Sequence, residues 1–252
     1  MDLLKYDGKY VRITDIYGGV FTGRASHGGY EFLMHEYGGD EDGIFIEDFL
    51  LYNSQINSIE EIEMHGTAEL WTERLILRRY RPEDVEELYR YLGSDPEQAR
   101  YSGWNPYATL EMAQETVRSF IDRYDDEHFY SWVMDIDDVV VGTIGAYDYQ
   151  DDQIETGFSV VRGWQGRGFA TEALEKVLEY LTDNEGISCV TAWCAAENAG
   201  SRRVLEKAGM ELVRTEKDSL LVGEKAFDKL IYEYHRRQDD EGSTDLGQNP
   251  AD

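Results

Sequence analysis

Apolar and polar positions follow two different rhythms along this chain, and the change falls near residue 65. Before it, "KYVRITDI", "GGVFTGRAS", "YEFLMHEY", "IFIEDFLLYN" and "INSIEEIE" alternate with period two between Gly- and Asn-bearing turns. Such alternation predicts strands with one buried face. Five or six short strands cannot hide their edges in a flat sheet. Residues 1–64 are therefore expected to form a small all-β barrel, closed or half-closed. Residues 65–71 read as a linker.

From Trp71 the rhythm is mixed. "ERLILRRY" (73–80), "FYSWVMDI", "VVVGTIGAYDY", "IETGFSVV" (154–161), "ISCVTAWC" (187–194), "MELVRTEK" and "KAFDKLIYEYHRR" read as strands, with Asp137-Asp138 as a hairpin turn. "EDVEELYRYL" behind Pro82, "TLEMAQETVRSFIDRY" (109–124) behind Thr109, and "AGSRRVLEKAG" (199–209) read as helices. A further helix carries Ala170, Ala173, Leu174, Val177, Leu178 and Leu181 on one face. Residues 72–237 are thus expected to be an α+β domain. The acidic, polar residues 238–252 are expected to be disordered.

The junction "RGWQGRGFATEALEKVL" (162–178) places Gly166 and Gly168 between a strand and the start of that helix. The first amides of a helix lack internal partners and carry partial positive charge, and glycines let a ligand approach the backbone. The junction is a potential phosphate site, although its spacing matches neither the dinucleotide fingerprint nor the P-loop.

Charge narrows the partners. The chain has 52 acidic against 24 basic side chains, a net −28. Nucleic acid and anionic membranes are bound through Lys and Arg, so both are set aside as partners. The excess is spread over the whole chain, which favours solubility over steering of a cationic substrate. No apolar run reaches 18 residues, and "MDLLKYDGKYVRIT" lacks the order of a signal peptide. Cys189 and Cys194 lie in one strand on opposite faces. They are expected to be buried free thiols, in neither a disulfide nor a metal site, and the protein to be cytoplasmic.

Gln165-Gly-Arg-Gly168-Phe-Ala170 resembles Gln/Arg-x-x-Gly-x-Gly/Ala, the pyrophosphate loop of the GCN5-related N-acetyltransferases (GNAT). "ETGFSVV" before it and "ENAGSRRVLEKAGM" after it fit the same family. The likeness covers residues 72–235 and is closest to the branch that acetylates N-termini of ribosomal proteins, which also opens on a "TERLILR" strand. Arg162 stands where the family often has proline. The resemblance implies a mixed, mostly antiparallel acetyltransferase sheet flanked by helices, with acetyl-CoA as cosubstrate. It implies that Val160, Val161 and Arg162 pair by backbone with the pantetheine arm. Gln165, Gly166, Arg167, Gly168, Phe169 and Ala170 would hold the pyrophosphate, and Asn198 would touch the cofactor or cap the following helix. Glu155 is the candidate general base, against a place on a solvated acidic face. Ser201 is the candidate donor to the departing thiolate, against an ordinary first-turn residue. Trp104 would shape the acceptor pocket or simply pack. "KYVRITDIYGGVFTGRAS" resembles the first Sm motif, without the RNA-contacting signatures. Residues 1–64 then read as an Sm-like barrel, either an accessory module for a protein partner or self-association, or a substrate-recruiting domain. The expected acceptor is a primary amine, at the branch level a protein N-terminus. A polyamine, an aminoglycoside-type substrate and a non-catalytic scaffold are the alternatives.

Overall fold

Two units, Met1–His65 and Gly66–Asp252, divide the computed structural model, which describes residues 1–46, 49–62, 65–93, 95, 107–222 and 225–235. In the first unit the strands are β1 (Tyr10–Asp15), β2 (Val20–Gly28), β3 (Gly43–Ile46), β4 (Phe49–Tyr52) and β5 (Ile56–Glu61). They form one antiparallel sheet in the order β4-β3-β2-β1-β5, which leaves β4 and β5 at its two edges. Val11, Ile13, Ala25, Ile44, Ile46, Leu51 and Ile56 fill its core with Leu3, as the alternation requires.

One segment departs from the expectation. "YEFLMHEY", read as a strand, is helix α1 (Tyr30–Tyr37). Its apolar residues at every second position mimic a strand, but only Leu33 is buried. Gly38 ends it in the left-handed region, φ 68°. A side chain at Gly28 would stand 2.9 Å from Leu33, so that glycine lets the helix settle on the sheet.

The second unit holds β6 (Leu70–Trp71), β7 (Ile76–Arg78), α2 (Val85–Leu88), α3 (Leu110–Ile121), β8 (Tyr130–Ile136), β9 (Val139–Gln150), β10 (Gln153–Val160), α4 (Phe169–Glu179), β11 (Cys189–Ala195), α5 (Ala199–Lys207), β12 (Glu211–Val222) and β13 (Lys225–His235). The sheet runs β12-β13-β11-β10-β9-β8-β7-β6, and only β10 and β11 are parallel. This is the expected mixed, mostly antiparallel sheet with helices. Residues 66–71 do not behave as a linker. Thr67, Ala68 and Leu70 are buried, and Thr67 bonds to Phe129, just before β8, and to Ser131 within it. Two strand residues are too few for a period to register in the sequence.

One face of the sheet meets α2 and α3 through Leu88, Ala113, Val117 and Val133. Ala173, Leu174, Val177 and Leu178 of α4 are all buried, as its period predicts. Asp137 and Asp138, and again Asp151 and Asp152, hold positive φ at the β8–β9 and β9–β10 hairpins. Turns that usually take Asn or Gly here take Asp, which absorbs part of the acidic excess. Both cysteines are buried and free. No described helix is long and apolar enough to cross a membrane.

Candidate active site

The parallel pair β10–β11 is joined over only three residue pairs, Gln153–Cys189, Ile154–Val190 and Glu155–Thr191. Beyond them β10 runs on to Val160 paired with β9, and β11 runs on to Ala195 paired with β13. The two strands therefore part, and the sequence-predicted site residues among those described lie along the gap and at its far ends.

At the end of β10 the chain is laced to itself. Val161 N–H donates to Val141 C=O at 2.9 Å, and Trp164 N–H to Val161 C=O at 2.8 Å. Gln165 N–H reaches Arg162 C=O, and its side-chain Nε2 donates to Val160 C=O at 3.0 Å. The carbonyls of Val160, Val161 and Arg162 are thus all engaged within the chain. Gly166 (φ 75°) and Gly168 (φ 91°) then turn the backbone into α4, with Gly168 as the N-cap. A Cβ at Gly166 would meet nothing within 4 Å, so the loop's outer side is open. The first bond of α4 is Glu172 N–H to Gly168 C=O, which leaves the amides of Phe169 and Ala170 ahead of it with no helical acceptor. This cradle of left-handed glycines and helix amides fits a diphosphate.

A strap holds the cradle in place. Arg74 donates through Nε to Glu172 Oε2 at 2.8 Å and through Nη1 to Arg167 C=O at 3.1 Å. Its guanidinium lies 4.6 Å from the centre of the Phe169 ring. Thr72 Oγ1 and the Arg74 N–H both donate to Glu172 Oε1. Burial pushes the Glu172 carboxyl up, but these donors outweigh it and leave it below its ordinary value of 4.5. A lowered carboxyl contributes stability above that ordinary value and loses it as pH falls through the folded value. Glu172→Gln should therefore cost about 1 kcal/mol at pH 7 by urea denaturation. The gap from the parent should close as pH falls below about 4.

Glu155 stands where the strands begin to part. Its Oε1 accepts from Trp193 Nε1 on β11 at 2.8 Å. Tyr147, directly across on β9, gives it a second donor. The Tyr147 hydroxyl lies over Gly157, where a Cβ would stand 3.0 Å from the oxygen. Burial and then the Glu155 charge raise the Tyr147 pKa, so the phenol keeps its proton and donates. The carboxylate is thereby aimed, and it can take a proton from a cationic group arriving on that face.

On the other lip, Asn198 caps α5. Its Oδ1 accepts from Ser201 N–H at 3.1 Å, and its own N–H donates to Ala195 C=O. The capping alternative for Asn198 is realised, and a ligand contact would fall to its Nδ2. Ser201 sits half-buried in the first turn of α5. Trp104 lies outside the described residues. Sequence reading missed Arg74, Tyr147 and Trp193. The signal for Tyr147 and Trp193 is the pairing register, which a sequence does not display.

A family model described as "Acetyltransferase (GNAT) domain" matches residues 74–211. A protein of Bacillus licheniformis named "Uncharacterized N-acetyltransferase p20" is 30% identical over 170 residues, covering 66% of this chain and 92% of that protein. A GNAT-family acetyltransferase from Bacillus anthracis superposes with a TM-score of 0.61 at 23% identity, covering 67% of this chain and 99% of that one. RimL, a ribosomal-protein alpha-N-acetyltransferase solved in complex with coenzyme A, superposes with a TM-score of 0.61 at 15% identity, covering 65% of this chain and 95% of that one.

Proposed function

This chain belongs to the GNAT acetyltransferase family, and from that membership we propose that it acetylates the N-terminal amine of a protein or peptide. Acetyl-CoA is the cosubstrate and supplies a thioester carbonyl open to attack by nitrogen. The observation that carries the reading is the aimed carboxylate of Glu155 beside the parted strands whose far end is the Gly166–Gly168 cradle.

Gln165 to Ala170 would hold the pyrophosphate on backbone amides. Val160, Val161 and Arg162 would line the pantetheine arm. The Val160 carbonyl already accepts from the Gln165 side chain, which sets the position of that residue beside the arm. The acceptor amine arrives as ammonium, and Glu155, directly or through one water, takes its proton so that nitrogen holds a free electron pair. Ser201, at the start of α5, would give a proton to the departing thiolate. Asn198 Nδ2 would contact the cosubstrate from the same lip.

The acceptor is read from the family branch and from RimL's activity. A second reading keeps the chemistry and makes the acceptor a small polycationic amine. It is favoured by Glu155, Glu233 and Glu211, which fall on one cross-strand row through Thr191. Acetylation of a peptide library beside spermidine and an aminoglycoside, ranked by kcat/KM, separates the two.

Glu155→Gln should slow turnover by about 100-fold or more at neutral pH. Affinity for acetyl-CoA, measured by calorimetry, should be unchanged. Full turnover in this variant would place the base elsewhere.

A further inference from the structure

We propose that Cys189, Glu233 and His235 form a zinc-binding site where the start of β11 meets the end of β13. The site does not rest on the acetyl-transfer reading, although Glu233 also stands in the acidic row that runs to Glu155. Cys189 is paired directly with His235 across the two antiparallel strands. Glu233 lies two residues before His235, so by strand alternation all three side chains stand on one face. Their ligand atoms lie within 4.8 Å of one another, and His235 Nε2 is 3.0 Å from Glu233 Oε2. Donors around a tetrahedral zinc ion, with bonds of about 2.0–2.3 Å, stand about 3.3–3.8 Å apart. Side-chain adjustment of about 1–1.5 Å therefore closes the site, with the backbone already in register.

The donor set selects the metal. One thiolate, one imidazole and one carboxylate suit a borderline divalent cation, whereas magnesium and calcium prefer oxygen alone. Three protein ligands leave a fourth position for water. Cys189 is buried, Glu233 partly exposed and His235 exposed, so an ion enters past the imidazole and meets the sulfur last. Binding exchanges the thiol proton for the metal. The S–H bond breaks, a Zn–S bond forms, and the proton leaves to solvent. Cys194 lies on the opposite face of β11 and takes no part. Cys189 and His235 stand 46 positions apart, so no spacing motif announces the site in the sequence.

The full chain, freed of metal, should take up one equivalent of Zn²⁺ in competition with a chromophoric chelator, and its Tm should rise. The Co²⁺ complex should show thiolate-to-metal charge-transfer absorption that Cys189→Ser removes and Cys194→Ser leaves. His235→Ala, at an exposed position that leaves the fold intact, should weaken Zn²⁺ binding by more than about tenfold. The proposal is overturned by the absence of saturable Zn²⁺ uptake in the native chain, by undiminished uptake in His235→Ala, or by a Co²⁺ complex without thiolate absorption.

Discussion

Gly168→Glu should abolish acetyl-CoA binding, with at least a 100-fold loss by calorimetry, or about 2.8 kcal/mol. Three effects converge at this residue. Its φ of 91° lies where a side chain is strained, at a cost of about 1–2 kcal/mol. A Cβ there would stand 3.3 Å from Arg74 Nη2, crowding the strap. The new carboxylate would also occupy the amides that the diphosphate needs, like charge against like charge. The fold should survive, because Gly168 is exposed and stands ahead of the helix it caps. Gly168→Ala keeps the strain and omits the charge, so it should lose only about tenfold. Undiminished affinity in the Glu variant would remove residues 165–170 from the cosubstrate site.

The largest stability loss is expected at Arg78. Its guanidinium is buried and forked. Nε donates to Asp135 at 2.7 Å, while Nη1 and Nη2 donate to the two oxygens of Asp84 at 2.9 and 2.8 Å. Asp84 also accepts from Arg81 N–H, and Asp135 from Asp138 N–H. One cation thus ties β7, the turn before α2, and the β8–β9 hairpin. Burial opposes the Arg78 charge, and the two carboxylates more than compensate, holding its pKa above the ordinary arginine value. Arg78→Ala would leave two buried carboxylates without their cation and should cost about 3–5 kcal/mol by urea denaturation. Arg78→Lys keeps the charge but not the fork, and should recover only part of that. A loss below about 1 kcal/mol in the Ala variant would show that water reaches the pair.

What the sequence disclosed follows from how far each interaction reaches along the chain. The apolar stripe of α4, its glycine start and the strand-forming runs of β8 to β13 are local, and each stands close to its predicted place. Asn198 three residues before Ser201 is local too, and capping follows from it. α1 misled because Tyr30, Phe32 and Met34 imitate a strand while Leu33 alone is buried. Contacts made by register were hidden. Trp193 meets Glu155 across 38 residues, and Arg74 meets Glu172 across 98. The pairing that sets His235 beside Cys189 is of the same kind. Pattern fixes which face a side chain takes, while only the assembled sheet fixes its neighbour.

The three-pair seam between β10 and β11 also has a mechanical side. Five strands, β6 to β10, lie on one side of it and three, β11, β13 and β12, on the other. Beyond those three pairs the two halves are tied by Glu155, whose carboxylate accepts from Trp193 on the far side, and by the packing of α4 against α5. A molecule bonded to both lips would add to these ties. Its departure would loosen the middle of the sheet, read as faster amide exchange in β10 and β11.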